Sequence, residues 1–294
     1  MFTKILPSVE YYTESKYKED LVKKFFCWKN IQKHIEPILI TLFFLTGTPL
    51  AFDYFKKMPS WLYVIIIIFC IVFILYLLSK GIASNNEKIR LSQIHHKCTH
   101  KLRDIYVKSM NSLRTKSSSP TIVEETCNAI CQEIEYIFNE IKKTKNVGVA
   151  IRLAKQEHDG IYYVTRGRSG LNSEREKNSE KIPLTTGLPA FLNNRDQTGC
   201  LVYNNIFKAA DENAFQLTKN ETNTHKSEIT SLMALPLNCG FSKTKKEMIG
   251  ILYITSPQES FFSVHDVDFA RNLVDFSAII ITQILLEFKL YQKK

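Results

Sequence analysis

Eighteen consecutive residues without a charge, Trp61–Leu78 (WLYVIIIIFCIVFILYLL), constrain this chain more than any other part of it. As a helix the run would span about 27 Å, close to the ~30 Å hydrocarbon core of a bilayer. It is too long for a buried strand, and its β-branched content does not change that. Trp61 and Tyr76 stand near its two ends, where interfacial aromatics belong. A weaker apolar run precedes it. Ile38–Phe52 is uncharged between Glu36 and Asp53, enough for about 22 Å if fully helical. It contains Thr46, Gly47, Thr48 and Pro49, and Pro49 removes a backbone donor inside the span. The reading favoured here is an ordinary kink whose freed carbonyl finds a neighbour; a functional soft spot at Gly47 and Pro49 is the alternative. Residues 36–79 are thus expected to form a two-helix transmembrane hairpin, with spans at about 37–52 and 61–78.

Orientation follows from basic residues near the spans. Residues 15–35 hold six lysines, the loop 53–60 holds two, and residues 80–100 hold four lysines and arginines. The expected topology is two-pass in a bacterial inner membrane, both termini cytoplasmic and the loop outside. Residues 1–35 are mostly polar, which excludes a cleaved signal peptide. Leu21, Phe25, Trp28 and Ile35 share a helical face there, interleaved with lysines at 23, 24, 29 and 33. That pattern predicts a cytoplasmic amphipathic segment lying on the membrane.

The chain's net charge of +10 is local. Residues 80–118 carry nine basic and two acidic side chains, whereas 119–294 carry 21 of each. Lys80, Lys88, Arg90, Lys97, Lys101 and Arg103 follow directly on the second span, and each is worth about 1 kcal/mol near anionic headgroups. The lipid bilayer is therefore the expected partner. An RNA contact is the alternative, but no aromatics are interleaved to stack on bases. Leu91, Ile94, Cys98, Leu102 and Ile105 form a helical stripe through this connector, a possible seam for a second copy. His96 and His100, four apart, could share a metal, but no second ligand pair with finger-like spacing follows, so no metal is expected. The seven cysteines are odd in number and show no framework spacing, which points to reduced thiols.

Beyond Ser117-Ser118-Ser119-Pro120 the pattern becomes that of a folded domain, residues 119–294. Thr121 with Glu124 is a capping-box signature, and Val123, Cys127, Ile130, Ile134, Phe138 and Ile141 continue as a helical stripe. The period then changes to two. Val147–Leu153 and Ile161–Thr165 read as strands around a turn at 158–160, and a short helix ends near Phe191. Cys200–Asn204, Ser231–Leu237 and Ile249–Thr255 are further strands, and a long helix from Asp266 to about Tyr291 closes the chain. This order predicts an α+β fold, an antiparallel sheet flanked by helices.

Three phrases of the last third, Ser231-Leu-Met-Ala-Leu-Pro-Leu, Ile249-Gly-Ile-Leu-Tyr-Ile and Phe261-Phe-Ser-Val-His-Asp-Val-Asp-Phe, resemble the closing half of a GAF domain. Ile182-Pro-Leu-Thr-Thr-Gly-Leu and Leu201-Val-Tyr-Asn-Asn resemble its middle. The resemblance covers about residues 119–290. It implies a sensory fold, a homo-oligomer through the first and last helices, and a small-molecule pocket between the sheet and residues 204–226. The residues expected at that pocket are Tyr203, Asn205, Asp211, Phe215 and Ser231. The string of cyclic-nucleotide-binding relatives keeps only Phe262 and Asp266 at its matching position. Neither Cys200 nor Cys239 is followed by the His that bilin-binding relatives need. A haem would need an axial His, for which His225 is a candidate, and no cofactor is expected.

No P-loop, G-x-S-x-G or kinase signature occurs, so the chain is not expected to be an enzyme. The closing helix ends three residues before the last, which suggests that the sensor reports through its own membrane segment. A two-span hairpin with a cytoplasmic sensor resembles in architecture the membrane effectors of bacterial anti-phage systems, of retron or CBASS-like kind. It implies a hairpin that perturbs the inner membrane during abortive infection, under a small-molecule, protein or RNA trigger. The alternative is a membrane-tethered GAF sensory subunit signalling to a separate kinase or transporter.

Overall fold

The computed structural model describes residues 9–12, 59–115, 121–170, 181–185, 187–193, 199–217, 229–242 and 245–292. The chain divides into two compact units: residues 15–93, and residues 1–14 together with 94–294.

In the first unit the described residues belong to helix α1, Ser60–Thr115, whose 56 residues are uninterrupted. The expected span 61–78 is therefore helical, and no break separates it from the basic connector. Among its described side chains in the apolar run, Trp61, Phe69, Val72, Leu75 and Tyr76 are each more than half exposed. Lys80 Nζ stands 5.5 Å from the centroid of the Tyr76 ring, a cation over an aromatic at the end of the apolar run. The expected first span at 37–52, with Gly47 and Pro49, and the amphipathic stretch 13–35 lie outside the described residues.

The second unit is built on one antiparallel sheet. Its strands are β1 (Val9–Tyr12), β2 (Gly148–Glu157), β3 (Gly160–Ser169), β4 (Ile182–Pro183), β5 (Cys200–Tyr203), β6 (Ser231–Ser242) and β7 (Lys245–Ser256). Their spatial order is β1-β5-β6-β7-β2-β3-β4. Strand β6 shows why the sheet needs two covers: Ser231–Leu237 are all buried, although adjacent side chains point to opposite faces. Met233, Leu235 and Leu237 join Leu252 and Ile254 in one apolar cluster, while Leu232 and Ala234 join Met248 and Ile251 in the other. Pro236, which lacks a ladder donor, comes just past Ala234, where the pairing with β5 ends.

The first cluster is sealed by three helices: α2 (Thr121–Lys142), the closing helix α5 (Val264–Gln292), and α1 from Ile94 onward. Cys98, Leu102 and Leu113 of α1 are buried there. The Ser109 and Thr126 hydroxyls lie 2.7 Å apart, and His95 packs edge-on to Phe269. The stripe read as a seam for a second copy is thus, from Ile94, part of this domain's own core. By length and composition Val264–Lys289 is apolar enough to cross a membrane. Its Ala270, Leu273, Val274, Ile281 and Ile284 are buried in the cluster, so it serves as a core helix. Gly167 lets β3 approach α2: a Cβ there would lie 2.5 Å from the Cys127 carbonyl carbon.

The α+β architecture of residues 121–292 follows the expected element order. Strand β1 is an addition: nothing in the pattern of residues 1–35 pointed to a strand, and Val9–Tyr12 pair along the outer edge of β5.

Candidate functional site

The second face of the sheet is covered by short elements from the middle of the domain, α3 (Gly187–Asn193) and α4 (Ile206–Asp211), with the turn that follows α4. Tyr163, Leu192, Leu201, Tyr203, Ile206 and Met248 are buried in this cluster, with Leu188, Phe191, Phe207, Phe215 and Tyr253 packed against it.

Of the five expected pocket residues, Tyr203 and Phe215 meet on this face, while Asn205 and Ser231 bind backbone at the end of the sheet. Tyr203 ends β5; its ring lies 4.9 Å from that of Phe215 at 68°, and its hydroxyl donates to Ala214 O at 3.3 Å. Asn205 caps α4, its Oδ1 accepting from Phe207 N at 3.0 Å and Lys208 N at 3.1 Å. Ser231 is fully buried, and its Oγ lies 2.5 Å from Gln258 O and 2.9 Å from Asn204 O. The same oxygen accepts from Phe261 N at 3.3 Å, so Ser231 fastens two loops to the start of β6. The Ile206 N–H adds a 2.8 Å bond to Thr230 O. Asp211, the fifth residue, is exposed at the last position of α4. The rings of Tyr203 and Phe215 pack directly against each other. His225 lies outside the described residues.

Sequence reasoning missed two tyrosines of this face. Burial, with Tyr253 beside each, pushes the hydroxyls of Tyr163 and Tyr203 well above the ordinary phenol range. They are neutral donors at any physiological pH. The Tyr163 hydroxyl reaches Met248 O at 3.4 Å, and the Arg152 guanidinium lies 5.9 Å from the Tyr253 ring. Three strands thus contribute Tyr163, Tyr203 and Tyr253 to one apolar face, chemistry suited to stacking and to hydrogen bonds with an uncharged ligand. In β7, Tyr253 lies between Leu252 and Ile254 of the other cluster, but nothing comparable marks Tyr163 in β3.

The basic residues of the connector are placed one by one. Lys80, Lys97, Lys101 and Arg103 are exposed, Arg90 pairs with Glu87 at 2.6 Å, and the side chain of Lys88 lies outside the described residues. The His96 and His100 Nε2 atoms are 3.0 Å apart on an exposed face. Among the described residues no group of three or more His, Cys, Asp or Glu side chains could hold a metal ion. Cys98, Cys127, Cys131, Cys200 and Cys239 are buried free thiols. Burial pushes Cys98 and Cys127 up to about 12 and raises the other three. Thiolates are scarce at all five near neutral pH.

No protein-family model matches the sequence, and neither does any curated protein. Solved structures do. The chain is similar to the GAF domain of an Acinetobacter phosphoenolpyruvate-protein phosphotransferase, at 17% identity and a TM-score of 0.40, over 63% of this chain and 92% of that one. It is similar to a GAF domain/HD domain protein from Geobacter sulfurreducens, at 14% identity and a TM-score of 0.40, over 56% of this chain and 94% of that one. A type II free methionine-R-sulfoxide reductase from Thermoplasma acidophilum matches at 15% identity and a TM-score of 0.39, over 55% and 96% of the two chains.

Proposed function

We propose that the chain is a two-span membrane protein whose cytoplasmic GAF-like domain senses a trigger and controls the hairpin. The observation that carries this reading is the pairing of Val9–Tyr12 with β5. One sheet cannot be divided by a bilayer, so residues 9–12 and 200–203 lie on the same side of any membrane. The chain between them must then cross an even number of times. If Trp61–Leu78 crosses once, a second crossing must fall between residues 13 and 59, where 37–52 is the uncharged run. The outward-facing Trp61, Phe69, Val72 and Leu75 support the first of these crossings. The exposed Lys80, Lys97, Lys101 and Arg103 suit an anionic inner leaflet.

The sensory half of the proposal rests on the tyrosine-lined face and its Phe215 cover, which suit a small, uncharged ligand that stacks. Phe276, Ile279 and Leu286 are exposed apolar residues on one side of α5, and we take that side as the surface where two copies associate. The five described thiols are buried and raised, so none of them is poised as a nucleophile. We place the hairpin's output at the bilayer itself, as in the bacterial anti-phage effectors that this architecture resembles. Expression in bacteria with a membrane-potential dye tests this. Induction of the chain, with phage infection as trigger, is expected to depolarise cells, and a chain with Trp61–Leu78 replaced by a polar helix is expected not to. Equal polarisation of both under every condition would remove the effector reading.

A further inference from the structure

The outer edge of β5 is covered by residues from the opposite end of the sequence. Val9 stands opposite Tyr203, Glu10 opposite Val202, Tyr11 opposite Leu201 and Tyr12 opposite Cys200. All four β5 residues are buried, Cys200 and Val202 in one cluster, Leu201 and Tyr203 in the other. A bare row of backbone donors and acceptors beside such a strand is a template for pairing, and here the chain fills it itself. The filling is short. Four residues of ladder gain only a little more than their ordering costs, which leaves the pairing formed but weak. A weak contact shifts its population in response to a modest free-energy change elsewhere. The source of such a change is adjacent: Tyr203, the last residue of β5, stacks on Phe215, and the next two residues anchor the Ser231 latch and the α4 cap.

We propose that the edge of β5 is a strand-addition site whose occupant is the chain's own Val9–Tyr12, a releasable strap that continues in sequence toward the proposed hairpin. Displacing Phe215 from Tyr203 moves β5 and loosens the strap. The reading of 37–78 as a hairpin is assumed solely in assigning where the strap leads.

Hydrogen exchange on the full chain in detergent micelles tests the strap without any membrane activity. In the unaltered chain, amides of 9–12 and 200–203 are expected to exchange at least about 100-fold more slowly than unstructured peptide. Phe215→Ala is expected to speed exchange at 9–12 by about tenfold or more, with β2 and β7 unchanged. Replacing both Glu10 and Tyr11 by Pro removes whichever of these two successive N–H groups faces β5 and is expected to expose 200–203; should it unfold the sheet, the Phe215→Ala result decides. Tyr12→Cys, opposite Cys200, is expected on oxidation to form a disulfide within one chain and to cancel the Phe215→Ala effect. Exchange of 9–12 at the unstructured rate, no response to Phe215→Ala, or a disulfide found only between two chains would each overturn the proposal. A chain that fails to depolarise cells yet shows the expected exchange pattern loses the effector reading and keeps the strap.

Discussion

Lys142 Nζ lies 2.5 Å from Asp266 Oδ2, and this contact ties the end of α2 to the beginning of α5 across 124 positions of sequence. Lys142 also donates to Phe261 O at 2.9 Å, while Asp266 accepts from Ser263 N at 2.6 Å in a capping box at the start of α5. The carboxylate serves two helices and the ammonium one. Asp266→Ala should therefore destabilise the chain by about 2–4 kcal/mol, more than Lys142→Met, because its loss strands a half-buried cation and removes the cap. Urea unfolding of the detergent-solubilised chain measures both, and equal effects would show that the cap carries no weight.

Gly167 sets the distance between β3 and α2. A methyl group there would meet backbone, the Cys127 carbonyl carbon at 2.5 Å and oxygen at 2.6 Å, and backbone cannot rotate aside. Gly167→Ala is expected to cost about 2 kcal/mol or more. The same change at Gly81, with nothing within 4 Å and a helical backbone, should be neutral or slightly stabilising. The pair of melting temperatures checks the contrast.

Burial raises the Glu133 carboxyl above its ordinary value, although Lys101 pulls it down. The folded chain therefore keeps that proton to a higher pH than the unfolded chain does. The stability this provides is present at low pH and is lost as the pH rises through the raised value. Glu133→Gln is expected to be more stable than the unaltered chain at pH 7, with the difference closing as the pH falls below the carboxylate range. Denaturation midpoints at pH 4 and pH 7 test the sign.

The raised thiols predict slow chemistry. With Cys98 and Cys127 at about 12, only about one molecule in 10⁵ carries the thiolate at pH 7. Alkylation of the native chain at these positions should be slower than in denaturant by orders of magnitude, and peptide mapping after brief labelling measures it. Rapid native labelling of Cys127 or Cys131 would reopen a thiol-based activity.

Much of this fold was legible because the domain's elements announce their period. Helix α2 opens on Thr121 and Glu124 and keeps one stripe. The two-residue alternation of β2 and β3 breaks at the His158-Asp159-Gly160 turn, and β6 is apolar throughout because both its faces are covered. The pocket corner was half legible: Tyr203 and Phe215 do meet, but the roles of Asn205 as a cap and Ser231 as a latch depend on backbone groups that no spacing displays. Tyr163 and Tyr253 were hidden among ordinary strand residues, since only the register brings them to one face. Strand β1 was illegible. Four residues, Val9-Glu10-Tyr11-Tyr12, carry too little pattern to read, and their partner strand lies some 190 positions away. Long-range pairing is a property of the fold rather than of the segment.

The even number of crossings is the point on which the account turns, and an accessibility map of the full chain in inverted and right-side-out vesicles tests it most directly. Protease tags placed at Glu10, between Lys56 and Lys57, and after Gln292 report the side of each site. The account predicts that the first and last are cut only in inverted vesicles and the middle one only in right-side-out vesicles. A middle tag cut on the same side as the other two, or a tag at Glu10 on the side opposite the tag after Gln292, would contradict it.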